Sequence, residues 1–326
     1  PVDGYRSHVS STDEKAADPA SSSSALRDAA LAEFSQAFLR RLPDAYTASV
    51  SAESLWGQIE SVFEFAENRR KDPVAVRVFD PDLEQDGYEA PGTVVDLNVN
   101  DSPFIVDSVT AALEQAGQRV VTEVHTVVGT VRSDAGALLD LTPARGADRR
   151  EAIQHYQLRD RLDEPARAEL EKALRGVLGD VQAAVRDFEP MQGIVERMKE
   201  VAREGAGRYS SEIVSESEQF LDWLLDLNFI FLGYREYAIT DEDGEPALSV
   251  VPGSGLGLLR DTDTSRYSAP VPISELPVDL RARYSEGVLV VVSKTNRIST
   301  VHRPARMDYN WIRHIGPDGS VIGEAR

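Results

Sequence analysis

Lys294, Asn296, Arg297, Thr300, His302, Arg303 and Arg306 crowd one short stretch of an acidic chain. Residues 287–307 contain no Asp or Glu, whereas the 326-residue chain carries a formal net charge of -20. A basic island in such a chain needs an anionic counterpart: a ligand, a nucleotide or an acidic protein face. Arginine pairs carboxylates in bidentate geometry, and Asn, Thr and His add directed hydrogen bonds. The stretch also holds apolar and amide side chains suited to an interface. These seven residues are therefore expected to dock against another segment of the protein or a neighbouring subunit. The apolar residues before them, 289–292, read as a strand that empties into a polar loop.

A second candidate is the run Asn100, Asp101, Ser102, Pro103 and Phe104. It joins a strand end to a helix start, with Ser102 as N-cap and Pro103 at the first helical position. Free N–H groups there can hold a carboxylate, so Asn100, Asp101 and Ser102 are candidate ligand-binding residues. Ordinary capping uses the same residue types. The glycine-rich residues 253–257 do not fit the dinucleotide fingerprint, because Leu258 stands where its last glycine belongs, and no phosphate-loop lysine follows. They read as a surface loop. The five histidines lack ligand spacing and the chain has no cysteine, so no metal site, disulfide or thiolate chemistry is expected. No catalytic residue is assigned.

Behind these candidates lies a chain with a core. Its content is 41% hydrophobic and 28% charged, as in soluble globular proteins. The length allows two or three domains. Strong negative charge argues against nucleic acid, and no apolar run is long enough to span a bilayer. A cytoplasmic location is expected, and the chain reads as a piece of a longer protein.

Residues 1–24 are polar and serine-rich and are expected to be disordered. Residues 25–72 carry two amphipathic helices, with Leu31, Phe34 and Phe38 on one face and Ile59, Val62, Phe63 and Ala66 on the other stripe. Residues 73–188 follow the order strand, strand, helix, strand, strand, helix. This predicts an α+β sandwich whose helices cover one face of a mostly antiparallel sheet. A linker helix is expected over 189–207. A second α/β module is expected over 208–326, with Pro317, Asp318 and Gly319 turning a hairpin.

Three stretches resemble one family. Asn100-Asp101-Ser102-Pro103-Phe104-Ile105-Val106-Asp107-Ser108-Val109 is similar to a segment of the large bacterial NAD-specific glutamate dehydrogenases. So are Phe220-Leu221-Asp222-Trp223-Leu224 with Asn228-Phe229-Ile230-Phe231-Leu232-Gly233-Tyr234-Arg235. The third is Ser293-Lys294-Thr295-Asn296 with Ser299-Thr300-Val301-His302-Arg303-Pro304 and Met307-Asp308-Tyr309. The resemblance implies the N-terminal regulatory or assembly segment of such an enzyme. It implies an ACT-like module followed by an ACT-like or PAS-like one, after the helical pair. The parent would use NAD, bound outside this segment, and would be a homo-oligomer. Expected partners are its other domains, neighbouring subunits and an amino-acid effector. ACT-like turns usually carry glycine after the proline. Phe104 stands there instead, which favours a structural or oligomerising unit. The alternative reading is a free-standing amino-acid sensor.

Overall fold

A computed structural model describes residues 19–285 and 288–326. Most of the expected disordered tail, residues 1–18, lies outside the described residues, and helix α1 already begins at Pro19 (Pro19–Leu39). Helix α2, Ala52–Glu67, is capped by the Ser51 side chain, which accepts from the Ser54 N–H. Its stripe of Ile59, Val62, Phe63 and Ala66 is buried, as the spacing requires. At Gly57 the helix passes so close to Gly87 that a Cβ would sit 2.2 Å from its carbonyl oxygen.

The first sheet has strands β1 (Val74–Phe79), β2 (Val94–Asn100), β3 (Val120–Arg132), β4 (Leu138–Pro143) and β5 (Arg150–Leu158). Their order is β1-β2-β5-β3-β4, and every neighbouring pair is antiparallel. Strand β4 is an addition to the sequence reading. Helix α3, Ile105–Gln115, and helix α4, Glu164–Arg186, cover one face, where Val76, Leu97, Val99 and Tyr156 meet Val109, Leu174 and Leu178.

The other face is also covered, which corrects the expectation of helices on one side only. Helices α1 and α2 pack there through Phe34, Phe38, Val62 and Phe63 onto Val124, Val128, Leu141 and Ile153. The helical pair is a layer of the first unit. The sequence conceals this because the second face bears Asp96, Asn98, Glu151 and His155, the residue types of a solvated face. All four are buried and partnered. Glu151 pairs with Arg69 at 3.2 Å and Arg132 at 2.8 Å. Asp96 meets Arg77 at 3.1 Å and His155 at 2.7 Å. A buried charge persists only with such partners.

Helix α5, Phe188–Glu204, follows α4 after Asp187. It does not serve as a linker: Met191, Ile194, Val195 and Met198 pack into the second core. Helix α6 runs Ser211–Trp223 and ends in a wide turn, Leu224–Asn228, with Leu227 in the left-handed region at φ 59°. The second sheet has β6 (Glu236–Glu242), β7 (Glu245–Val250), β8 (Val271–Pro272), β9 (Val290–Ile298), β10 (Arg306–Ile315) and β11 (Val321–Ala325). Its order is β8-β7-β6-β11-β10-β9, again antiparallel.

The glycine-rich loop is packed, contrary to the surface-loop reading. Gly257 is buried at φ 55°, and a Cβ there would meet the Leu232 oxygen at 2.2 Å. Its N–H donates to Asp187 Oδ2 at 2.6 Å, and Arg260 also pairs with that carboxylate. Burial pushes the Asp187 carboxyl up, but Arg260 and the Gly257 N–H hold it below the ordinary range.

Candidate functional site

Strand β9 runs on to Ile298, past the point where a loop was expected, so Lys294, Asn296 and Arg297 lie on a strand. The true loop is the tip, residues 299–305, between β9 and β10. It is held by its own hydrogen bonds. The Ser299 N–H donates to the Ala305 oxygen at 2.8 Å, and Ser299 Oγ donates to the Val301 oxygen at 2.8 Å. His302 sits in the left-handed region at φ 64°, unusual for a residue with a Cβ.

This tip enters the first unit. Val301 is buried within the core formed by β1, β2, α3 and α4. The His302 N–H donates to Ser108 Oγ at 2.9 Å, and His302 Nδ1 lies 2.8 Å from Asp107 Oδ2. Thr300 Oγ1 donates to Asp180 Oδ2 on α4 at 2.7 Å. The His302 ring packs against Phe104 with centroids 5.3 Å apart.

Phe104 is the residue before α3 and lies at φ 72°. Ser102 is therefore not the N-cap, and no side chain caps this helix. Two strained residues, Phe104 and His302, thus face one another across the contact. Left-handed backbone at such residues persists where surrounding structure holds it.

The candidate ligand residues beside this turn are engaged internally. Asn100 Oδ1 accepts from Arg69 at 3.0 Å and Arg149 at 3.4 Å. Asp101 lies 3.4 Å from Arg150. Gln182 Nε2 donates to the Asn100 carbonyl at 3.1 Å and to Ser102 Oγ at 3.2 Å. In the basic island, Lys294 pairs with Asp308 across the hairpin at 2.6 Å. Asn296, Arg297, Arg303 and Arg306 are exposed. Among the described residues, Arg297, Arg303 and Arg306 form no ion pair.

The acceptor side of the contact, Asp107, Ser108 and Asp180, was not singled out in the sequence. A signal was present, because Asp107 and Ser108 lie in one quoted resemblance stretch and Val301 and His302 in another. The two stretches touch. One arrangement could be mistaken for catalytic machinery: Asp96, His155 and Gln58, with His155 Nε2 2.5 Å from Gln58 Nε2. All three are buried in the first unit's core, out of a substrate's reach. Among the described residues, no group of three or more His, Cys, Asp or Glu could hold a metal, and no helix is long and apolar enough to cross a membrane.

The family described as glutamate dehydrogenase, ACT1 domain, matches residues 34–174. That span takes in only the end of α1, from residue 34, all of α2 and the whole first sheet. The NAD-specific glutamate dehydrogenase of Pseudomonas aeruginosa is 32% identical over 291 residues, covering 88% of this chain. That of Halomonas elongata is 30% identical over 298 residues, covering 90%. That of Mycobacterium tuberculosis is 32% identical over 170 residues, covering 50%. The chain is a relative of the NAD-specific glutamate dehydrogenases. It spans 17% and 18% of the length of the first two relatives, so an N-terminal segment of a large enzyme of that family fits. The contact between 104–108 and 300–302 joins the ACT1-matched region to residues beyond it.

Proposed function

We propose that this chain is the regulatory and assembly region of an NAD-dependent glutamate dehydrogenase. The parent would convert L-glutamate, NAD and water to 2-oxoglutarate, ammonium and NADH, with NAD and the reacting groups held outside this segment. It would work in the cytoplasm as a homo-oligomer and answer to an effector. In this reading the first sheet with its four helices is an ACT-like module, and the second sheet is a module of the ACT or PAS type.

One observation carries the regulatory part. The hairpin tip of the second unit is inserted beside the strand–helix turn of the first, with Val301 in its core and His302 on Phe104, Asp107 and Ser108. A change of conformation at that turn has to be matched at the tip, and the reverse holds as well. Such reciprocity is what coupling between two sites requires.

The test uses the full-length enzyme and this chain side by side. The isolated chain is expected to produce no NADH from glutamate and NAD. In the full-length enzyme, Thr300→Ala with Asp107→Ala should alter the subunit assembly seen by light scattering or the response to amino acids, while NADH production persists. Glutamate-dependent NADH production by the purified chain would sink the proposal. So would a full-length double variant whose assembly and amino-acid response match the parent.

A further inference from the structure

A cavity of about 900 Å³ lies in the second unit, with the hairpin tip in its wall. That is the upper part of the size range of small-molecule sites. Its floor is apolar and buried, built from Met191, Val195 and Met198 of α5, Leu221 and Leu224 at the end of α6, and Ile312 of β10. Its rim is exposed and carries Arg266, Arg297, Arg303 and Arg306.

Charge decides what such a space would take. Among the described residues, six arginines line the cavity against a single carboxylate, Asp308. Asp308 is already paired with Lys294. Two of the arginines are engaged in the fold: Arg235 donates to the oxygens of Leu259 and Asp261, and Arg326 lies over the Tyr237 ring at 4.1 Å. The four at the rim form no ion pair among the described residues. This is a sharp local reversal in a chain of net charge -20. Polar atoms interrupt the cavity wall: Asn310 Oδ1 and Arg326 Nε belong to lining residues and are buried without a hydrogen-bond partner among the described residues.

We propose that the cavity binds an amphipathic anion, with a carboxylate or phosphate head on the rim arginines and an apolar body on the floor. Arginine suits either head group, because its planar fork offers paired donors to both. Burial of the body supplies affinity, and the rim supplies selection by charge. The cavity wall includes Val301 and His302, so its occupant would touch the same tip that locks the two units. The proposal stands whether or not the chain regulates a dehydrogenase.

Isothermal titration of the 326-residue chain tests it, below the micelle concentration of each probe. The probes are dodecanoate, dodecyl phosphate, octanoate, dodecanol and inorganic phosphate. Saturable binding is expected for dodecanoate, dodecyl phosphate or both, and the stronger of the two names the preferred head. Dodecanol should bind about tenfold more weakly, equivalent to about 1.4 kcal/mol. Octanoate should also bind more weakly than dodecanoate, because less apolar surface is buried. Arg297→Gln with Arg303→Gln should weaken the anionic amphiphile about tenfold and leave dodecanol unchanged. Both side chains are exposed, so this variant should fold. Equal affinity for dodecanol, equal affinity for octanoate, an indifferent arginine variant, or binding of inorganic phosphate alone would each overturn the proposal.

Discussion

Glu151 has no exposed side-chain surface, yet it carries charge at neutral pH. Burial pushes its carboxyl up, but hydrogen bonds from Arg132 and the charges of Arg69 and Arg132 bring it down to about 2. In the unfolded chain it would titrate near 4.5. Between those values protons bind the unfolded chain more readily than the folded one. The stabilisation is therefore complete above about pH 4.5 and disappears as pH falls through about 2, with a magnitude of about 3 kcal/mol. Glu151→Gln should destabilise the fold by about 3–5 kcal/mol at pH 7, because it strands two buried guanidiniums. The gap between parent and variant, read from urea unfolding at a series of pH values, should close as pH drops from 4.5 towards 2. A gap constant over that range would show that the network is not what holds Glu151 ionised.

At the scale of elements, the apolar stripes of α1, α2 and α4 and the alternation of β1 were legible, because burial writes itself into residue spacing. The second covered face of the first sheet was not. Its Asp96, Asn98, Glu151 and His155 look like solvent contacts until their partners are known, and those partners come from distant positions such as Gln58, Arg69, Arg77 and Arg132. The extent of β9 was hidden for a related reason. Lys294 and Arg297 are poor strand signals alone, and only the pairing of Lys294 with Asp308 and of Ile298 with Arg306 carries the strand through them. The candidate site was half legible. Thr300 and His302 stood out by composition, while their receptors Asp107, Ser108 and Asp180 did not. The hidden layer has a measurable consequence. A chain beginning at residue 73, the boundary expected from sequence, would bare Val124, Val128, Leu141 and Ile153 and strand Glu151 without Arg69. It should lose cooperative unfolding and bind a hydrophobic dye, whereas a chain beginning at residue 19 should do neither. A truncated chain that unfolds with the parent's midpoint and stays dye-free would show that α1 and α2 are dispensable.

For the whole molecule, the decisive question is whether the two units behave as one. Leu232 and Leu258 pack against the first core, and two more specific features tie the units. Asp187, between α4 and α5, gathers Gly257 and Arg260, and the hairpin tip places Val301 in the first core. The tip contributes more specificity than area. Its polar contacts to Ser108, Asp107 and Asp180 fix one orientation, and the Val301 side chain packs into the first core beside them. Val301→Asp would put an unpaired carboxylate among apolar side chains, near Asp107 and Asp180. Desolvation and like charge both oppose that arrangement, so the tip should leave its seat and not carry the charge inside. Neither sheet would lose a strand, because the tip lies outside the β9–β10 pairing. The expected result is selective. Hydrogen exchange should speed up at 104–109 and 299–305 while β2, β5 and β10 stay protected, and thermal unfolding should move towards two separated transitions. Val301→Ala should give a milder version, costing about 1–3 kcal/mol. If Val301→Asp leaves exchange at 104–109 unchanged, the tip is not what couples the two units. The tie through Asp187 would then be the next to test, with Asp187→Asn as the variant expected to separate the transitions.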